Sequence, residues 1–217
     1  IMAGFAENCS MHDYTLKSVQ QILQQNLAPG QISPSKSWTV EHLDWGSPHH
    51  QNQMRTMRSN TGPVVIQGQG IARGHLMGGC VEVLEMIKGT KIWPSLNQWR
   101  DAILFLETSE EAPGVDYVRY CLRNYAAQGI LSGLNGIIFG RPGGAHLNDA
   151  ERLSYNDVLL SVIRDEENLK DLPIMTQMDF GHTDPMMVLP YGCMAEMNCD
   201  QNKFSILEPG VSNKKDL

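Results

Sequence analysis

Three short apolar runs, AILFLE at 102–107, GIIFGR at 136–141 and LPIMTQMDFGH at 172–182, constrain this 217-residue chain more than any other feature. Each is apolar with little alternation, which marks a strand buried on both faces, and a stretch of helical periodicity follows the first two. From about Val115 to Gln128 the residues Val118, Cys121, Leu122 and Tyr125 recur on one helical side, and NDVLLSVIRDEE predicts a second helix before the third run. Strand-then-helix order predicts an α/β domain with a partly parallel sheet, because parallel neighbours need a crossover that covers a sheet face.

The flanking segments extend this reading. GIARGHLMGGC leads into VEVLEMIKG, where Val81, Leu84 and Ile87 form an apolar stripe and Gly89 suits a C-cap, so strand, glycine turn and helix are expected. Leu16, Val19, Ile22 and Leu23 predict a helix over about 15–26, with Asp13 or Thr15 as its N-cap. Residues 28–37, rich in Pro, Gly and Ser, read as a seam, and 38–70 as short strands with a polar loop around SPHHQNQM. GCMAEMNCDQNKFSILE reads as a hairpin turning at Cys199 to Asn202. The N-terminus has neither an initiator Met nor a basic signal region and reads as cut mid-protein. The expected organisation is therefore a 1–30 tail of an upstream N-terminal domain, a domain over 31–210 and a frayed tail at 211–217.

Charge and cysteine usage exclude several classes. A net charge of -7 without any basic run argues against nucleic acid as a partner. No apolar stretch approaches the roughly 20 residues of a membrane helix, so no membrane partner is expected. Five cysteines without a CxxC pair suit a reducing compartment and predict a cytoplasmic protein. No HxxxH, HxH or paired-Cys spacing occurs, so neither metal nor cofactor is expected. Met175, Met178, Met186, Met187, Met194 and Met197 flank apolar runs and read as core filling.

Two residues stand where chemistry is expected. Glu107 ends a buried strand, the edge at which α/β proteins place ligands, although a Glu there can also cap a helix or pair with a base. His182 lies in MDFGHTDPMMVLPYG, flanked by Gly181 and a helix-incompatible Asp-Pro step, on a tight loop that can bring imidazole to a cleft. A neutral His takes up a hydroxyl proton near physiological pH, and a carboxylate on its other nitrogen fixes the tautomer. Glu110 and Glu111 read as solvated neighbours.

AILFLETSE, GGCVEVLEMIKGT, GIIFGR and FGHTDPMMVLPYG together, in order and spacing, resemble the C-terminal half of the serine peptidases that include LD-carboxypeptidases and microcin C self-immunity proteins. The resemblance covers most of the chain. It implies the C-terminal swivelling β/β/α-type domain of that family, a mixed sheet with flanking helices, with Glu107 as triad acid and His182 as general base. It also implies a homodimer, and a nucleophilic Ser in a G-[FY]-S-D type turn that this chain lacks. GFAENCS at 4–10 resembles that turn only superficially, because Ser10 follows Cys9 without the glycine-flanked elbow that exposes a nucleophile. The nucleophile is therefore expected upstream, on the protein's own N-terminal domain, and this chain alone is expected to be inactive.

Further candidates surround the pair. Gly78, Gly79 and Cys80 precede a helix and could offer backbone N–H groups to an anionic substrate end. Cys80 stands where the family often has Asn. A thiol at a helix start opens the alternative of a cysteine hydrolase, while a small Cys packing helix on sheet is the plainer reading. Trp38 and Trp45 bracket WTVEHLDW, matching a loop that in microcin-immunity relatives sets aromatics against an aminoacyl-nucleotide; either could instead anchor the local β-unit. Two functions from different classes remain open: a hydrolase acting on a small peptide or aminoacyl-nucleotide, and a binding module that captures an aminoacyl-nucleotide or peptidoglycan fragment without turnover.

Overall fold

Side-chain period and burial put the three apolar runs at the centre of one eight-stranded mixed sheet. The computed structural model describes residues 12–44, 46–50 and 52–212; Cys9, Ser10 and Trp45 lie outside them. The strands are β1 (Gly30–Ile32), β2 (Ser37–Trp38), β3 (Arg58–Ser59), β4 (Val64–Gln67), β5 (Ile71–Cys80), β6 (Ile103–Glu107), β7 (Gly136–Gly140), β8 (Ile174–Met178), β9 (Met194–Asn198) and β10 (Lys203–Ile206). The α-helices are α1 (Asp13–Val19), α2 (Val81–Ile87), α3 (Leu96–Trp99), α4 (Val115–Ala127) and α5 (Asp149–Leu160).

The sheet runs β1-β10-β9-β5-β6-β7-β8-β4. Its centre, β5 to β8, is parallel, and the outer pairings are antiparallel. Successive side chains of a strand point to opposite faces, and the two cores follow that rule. Leu104, Leu106, Ile137 and Phe139 join Val118, Leu122 and Tyr125 of α4 and Tyr155 and Val158 of α5 on one face. Ile103, Ile138 and Met175 join Ile22, Met197, Phe204 and Ile206 on the other. The helix expected from Val115 is α4, with the four anticipated residues buried. The hairpin is β9 and β10, with Asn202 in the left-handed region at its turn. Met175, Met178, Met187 and Met197 are buried. Among the described residues no helix is long and apolar enough to cross a membrane.

Four local departures stand out, three of them with a plain physical reason. Helix α5 begins before NDVLL because Asn148 and Glu151 form a capping box: the Asn148 side chain accepts from the Glu151 N–H at 3.0 Å, and the Glu151 carboxylate from the Asn148 N–H at 2.7 Å. The first helix is α-helical over Asp13–Val19 and continues as a π-turn over Gln20–Gln24. The Pro- and Gly-rich 28–37 seam holds β1, a three-residue edge strand, where such composition is tolerated. Gly78 and Gly79 form the end of β5 itself, with no turn before α2. A Cβ on Gly78 would come 1.7 Å from the Phe105 carbonyl oxygen, so only glycine lets β5 lie against β6 there.

Candidate active site

The parallel register carries the C-terminal ends of β5, β6 and β8 to one edge, and the site is built on the turns that leave them. Glu107 is the last residue of β6 and is 8% exposed. His182 stands four residues beyond β8, its side chain 41% exposed. The imidazole Nδ1 lies 2.7 Å from Glu107 Oε2. Close approach depends on glycine: Gly181 has φ +100°, and a Cβ there would meet Glu107 Cβ and Oε2 at 2.7 Å. With Nδ1 taken by the carboxylate, Nε2 faces outward as the nitrogen able to accept a proton.

The electrostatics favour a charged ring. The hydrogen bond to Glu107 raises the His182 pKa above the ordinary imidazole value of 6.5; partial burial opposes it, and the Glu107, Glu110 and Glu82 charges add to the rise. Glu110 is 75% exposed, yet its Oε2 lies 3.4 Å from Nε2. Glu82, in the first turn of α2, accepts hydrogen bonds from Ser109 N and Oγ and, at 3.3 Å, from the Cys80 thiol. Burial works against the Glu82 charge, but the Ser109 and other hydrogen bonds outweigh it and hold its carboxyl below the usual value.

A buried polar network fastens the His182 loop from below. Arg141, directly after β7, pairs with Asp179, directly after β8, at 2.9 Å, the two side chains being 2% and 4% exposed. The Ser35 N–H donates to Asp179 at 2.8 Å, and Asn60 Nδ2 at 2.9 Å. Arg141 also donates to Asn60 Oδ1 at 2.9 Å and to the Gln177 carbonyl at 3.0 Å. A reciprocal backbone bridge joins Thr39 to Asp184, and Arg55 pairs with the Asp184 carboxylate. The 34–60 segment is thus tied to the loop carrying His182 at two points.

The other candidates fall differently. Trp38 is buried, and the guanidinium groups of Arg58, Arg141 and Arg152 sit over its ring at 4.9, 4.7 and 5.4 Å. Cys80 pairs in register with Glu107, so the two strand ends are neighbours. Burial pushes the Cys80 thiol up to about 12, with the Glu107 and Glu82 charges adding to the rise. Among the described residues no group of three His, Cys, Asp or Glu gathers to hold a metal. Arg141, Asp179 and Asn60 were not anticipated. Their signal was present, since Arg141 and Asp179 are opposite charges immediately after consecutive apolar strands.

Comparison with known proteins adds independent findings. A sequence profile described as the LD-carboxypeptidase C-terminal domain matches residues 73–197. Over 216 residues the chain is 26% identical to a Vibrio cholerae protein that carries a carboxypeptidase name, covering 99% of this chain and 60% of that one. It is 24% identical over 217 residues to the microcin C7 self-immunity protein MccF of Escherichia coli, covering 99% of this chain and 59% of that one. The MccF-like protein from Streptococcus pneumoniae, solved in complex with AMP, superimposes with a TM-score of 0.77 at 25% identity, covering 93% of this chain and 59% of that one. The chain spans about 60% of the length of these relatives.

Proposed function

Because the chain belongs to the LD-carboxypeptidase C-terminal domain family, we propose that it is the acid/base portion of a serine hydrolase whose nucleophile lies outside residues 1–217. The observation that carries this reading is the 2.7 Å contact between His182 Nδ1 and Glu107. In the proposed reaction, His182 Nε2 takes the proton of the incoming serine hydroxyl as its oxygen attacks the amide carbonyl. Glu107 holds the Nδ1–H and stabilises the imidazolium that forms. The tetrahedral intermediate collapses as His182 returns the proton to the leaving amine, and water repeats the sequence on the acyl-enzyme. Solvent access to the imidazole, against a largely buried Glu107, suits a base that must meet a partner group.

The substrate is an amide next to a free carboxylate in a murein peptide, or the amide of an aminoacyl-nucleotide; the AMP bound by the Streptococcus pneumoniae relative supports the second branch. Trp38, under three guanidinium groups, anchors the segment that carries it. The protein acts in the cytoplasm as a homodimer, with its own N-terminal domain completing the site. Gly78, Gly79 and Cys80 border the acyl pocket through their backbone. A binding module of the same fold, capturing an aminoacyl-nucleotide or peptidoglycan fragment without turnover, is the second reading.

The test is covalent labelling. A serine-reactive fluorophosphonate applied to the protein extended beyond residue 1 is expected to modify a serine outside 1–217, with labelling lost in His182→Gln. Labelling of a residue within 1–217, or labelling indifferent to His182, would sink the proposal. The 217-residue chain alone is expected to show no turnover.

A further inference from the structure

We propose that Arg58, laid over the indole of Trp38, anchors the anionic group of the substrate, a phosphate or a free carboxylate, by exchanging its bond to Asp149 for one to that group. The inference rests on the hydrolase reading above and deepens it, because both substrate branches carry such an anion. The charges that act most on His182 are Glu107, Glu110 and Glu82, all negative. An anionic substrate must therefore find its cation elsewhere on this edge of the sheet. Strand β7 lies between β6 and β8, so Arg141, directly after it, stands between the turns that carry Glu107 and His182. Asp179 holds Arg141, however, and Asp184 holds Arg55.

The arginines gathered at Trp38 supply what is missing. Arg152, buried beside the indole, has carbonyl oxygens in place of a carboxylate, those of Pro142, Gly143, Gly144 and Leu147, and its Nε is buried without a partner. A buried cation that no carboxylate neutralises leaves a positive potential for an incoming anion. Burial lowers the Arg152 pKa, and the charges of Arg58 and Arg141 lower it further, so the three groups repel one another. Arg58 is the exposed member: its side chain is 45% exposed, and that of its partner Asp149 is 69% exposed. Only Nη2 donates to Asp149, at 2.8 and 2.9 Å, while Nε and Nη1 make no hydrogen bond among the described residues. So exposed a pair contributes little and exchanges readily, and a guanidinium fork matches the oxygens of carboxylate or phosphate. Two contacts tie this cluster to the catalytic pair. A Cβ on Gly143, in the loop that Arg152 grips, would come 2.8 Å from the carbonyl oxygen of Ser109, in the turn after Glu107. Thr39, next to Trp38, is bridged to Asp184 in the His182 loop.

The experiment measures calorimetric binding and turnover on the protein extended beyond residue 1, with two matched pairs of ligands: a peptide ending in a free carboxylate against its carboxamide, and AMP against adenosine. Wild type is expected to bind the anionic member of at least one pair about 10–100-fold more tightly, the scale of charge-assisted hydrogen bonds. Arg58→Gln should erase that preference by weakening the anionic ligand alone. Arg58→Lys should keep part of it, and Asp149→Asn, which releases the guanidinium, should enlarge it. The pair that responds identifies the anion as carboxylate or phosphate. No preference in wild type, or one that Arg58→Gln leaves intact, overturns the proposal. A loss shared equally by both members of a pair marks Arg58 as structural and overturns it too. Where the peptide is cleaved, the Arg58→Gln defect should fall mainly on KM. Arg58-dependent binding without any turnover would contradict the hydrolase reading and leave the anchor standing.

Discussion

His182 Nδ1 rests 2.7 Å from Glu107 Oε2 although 75 residues separate them in sequence, and this contact sets the protonation behaviour of the site. Glu107→Gln keeps the shape and removes the charge. The His182 pKa should then fall back towards the ordinary imidazole range, followed by NMR titration of the ring protons of this chain. A titration identical to wild type would mean that the carboxylate does not hold the ring.

The same contact predicts a pH-dependent stability. His182 has its pKa raised in the folded chain, so its contribution is fully present below the unfolded value of about 6.5 and is lost as pH rises through the higher folded value. The urea midpoint difference between wild type and His182→Gln should therefore be largest in mildly acidic buffer and shrink towards alkaline pH. A difference that grew with pH would reverse the assigned sign.

The pair Arg141 and Asp179 is buried on both sides, and removing one partner strands the other. Arg141→Ala should cost about 3–5 kcal/mol of stability in denaturant unfolding, because Asp179 keeps its charge without its main compensation. A loss no larger than that of a surface substitution would show that Ser35 and Asn60 suffice to satisfy Asp179.

Cys80 is expected to be inert. Its thiol is pushed up to about 12, so almost no thiolate exists near neutral pH. Iodoacetamide at pH 7.5 should label Cys80 far more slowly than a free thiol of pKa about 8.5. Rapid alkylation at Cys80 would reopen the cysteine mechanism.

Much of the centre was legible in sequence because its signals are local. Unbroken apolar runs marked β6, β7 and β8, and the spacing of Val118, Cys121, Leu122 and Tyr125 marked α4. Glu107 and His182 could be nominated because each closes such a run. What escaped was long-range or brief. The three-residue β1 has no pattern of its own and exists by pairing with β10. The Arg141–Asp179 network joins residues from the ends of separate strands with Ser35 and Asn60, partners that no local window contains. Glu110 read as a solvated acid, and it is exposed; only the loop geometry brings it to Nε2.

The account turns on His182 acting as general base for a serine supplied from outside this chain. The measurement that bears on it most directly is kcat and KM of the extended protein with and without His182→Gln, on a peptide ending in a free carboxylate. The account predicts a fall in kcat of about 10³–10⁴ with little change in KM, as when a triad base is removed. Retention of kcat within about tenfold, well short of the 10²–10⁴ expected of general base catalysis, would contradict it.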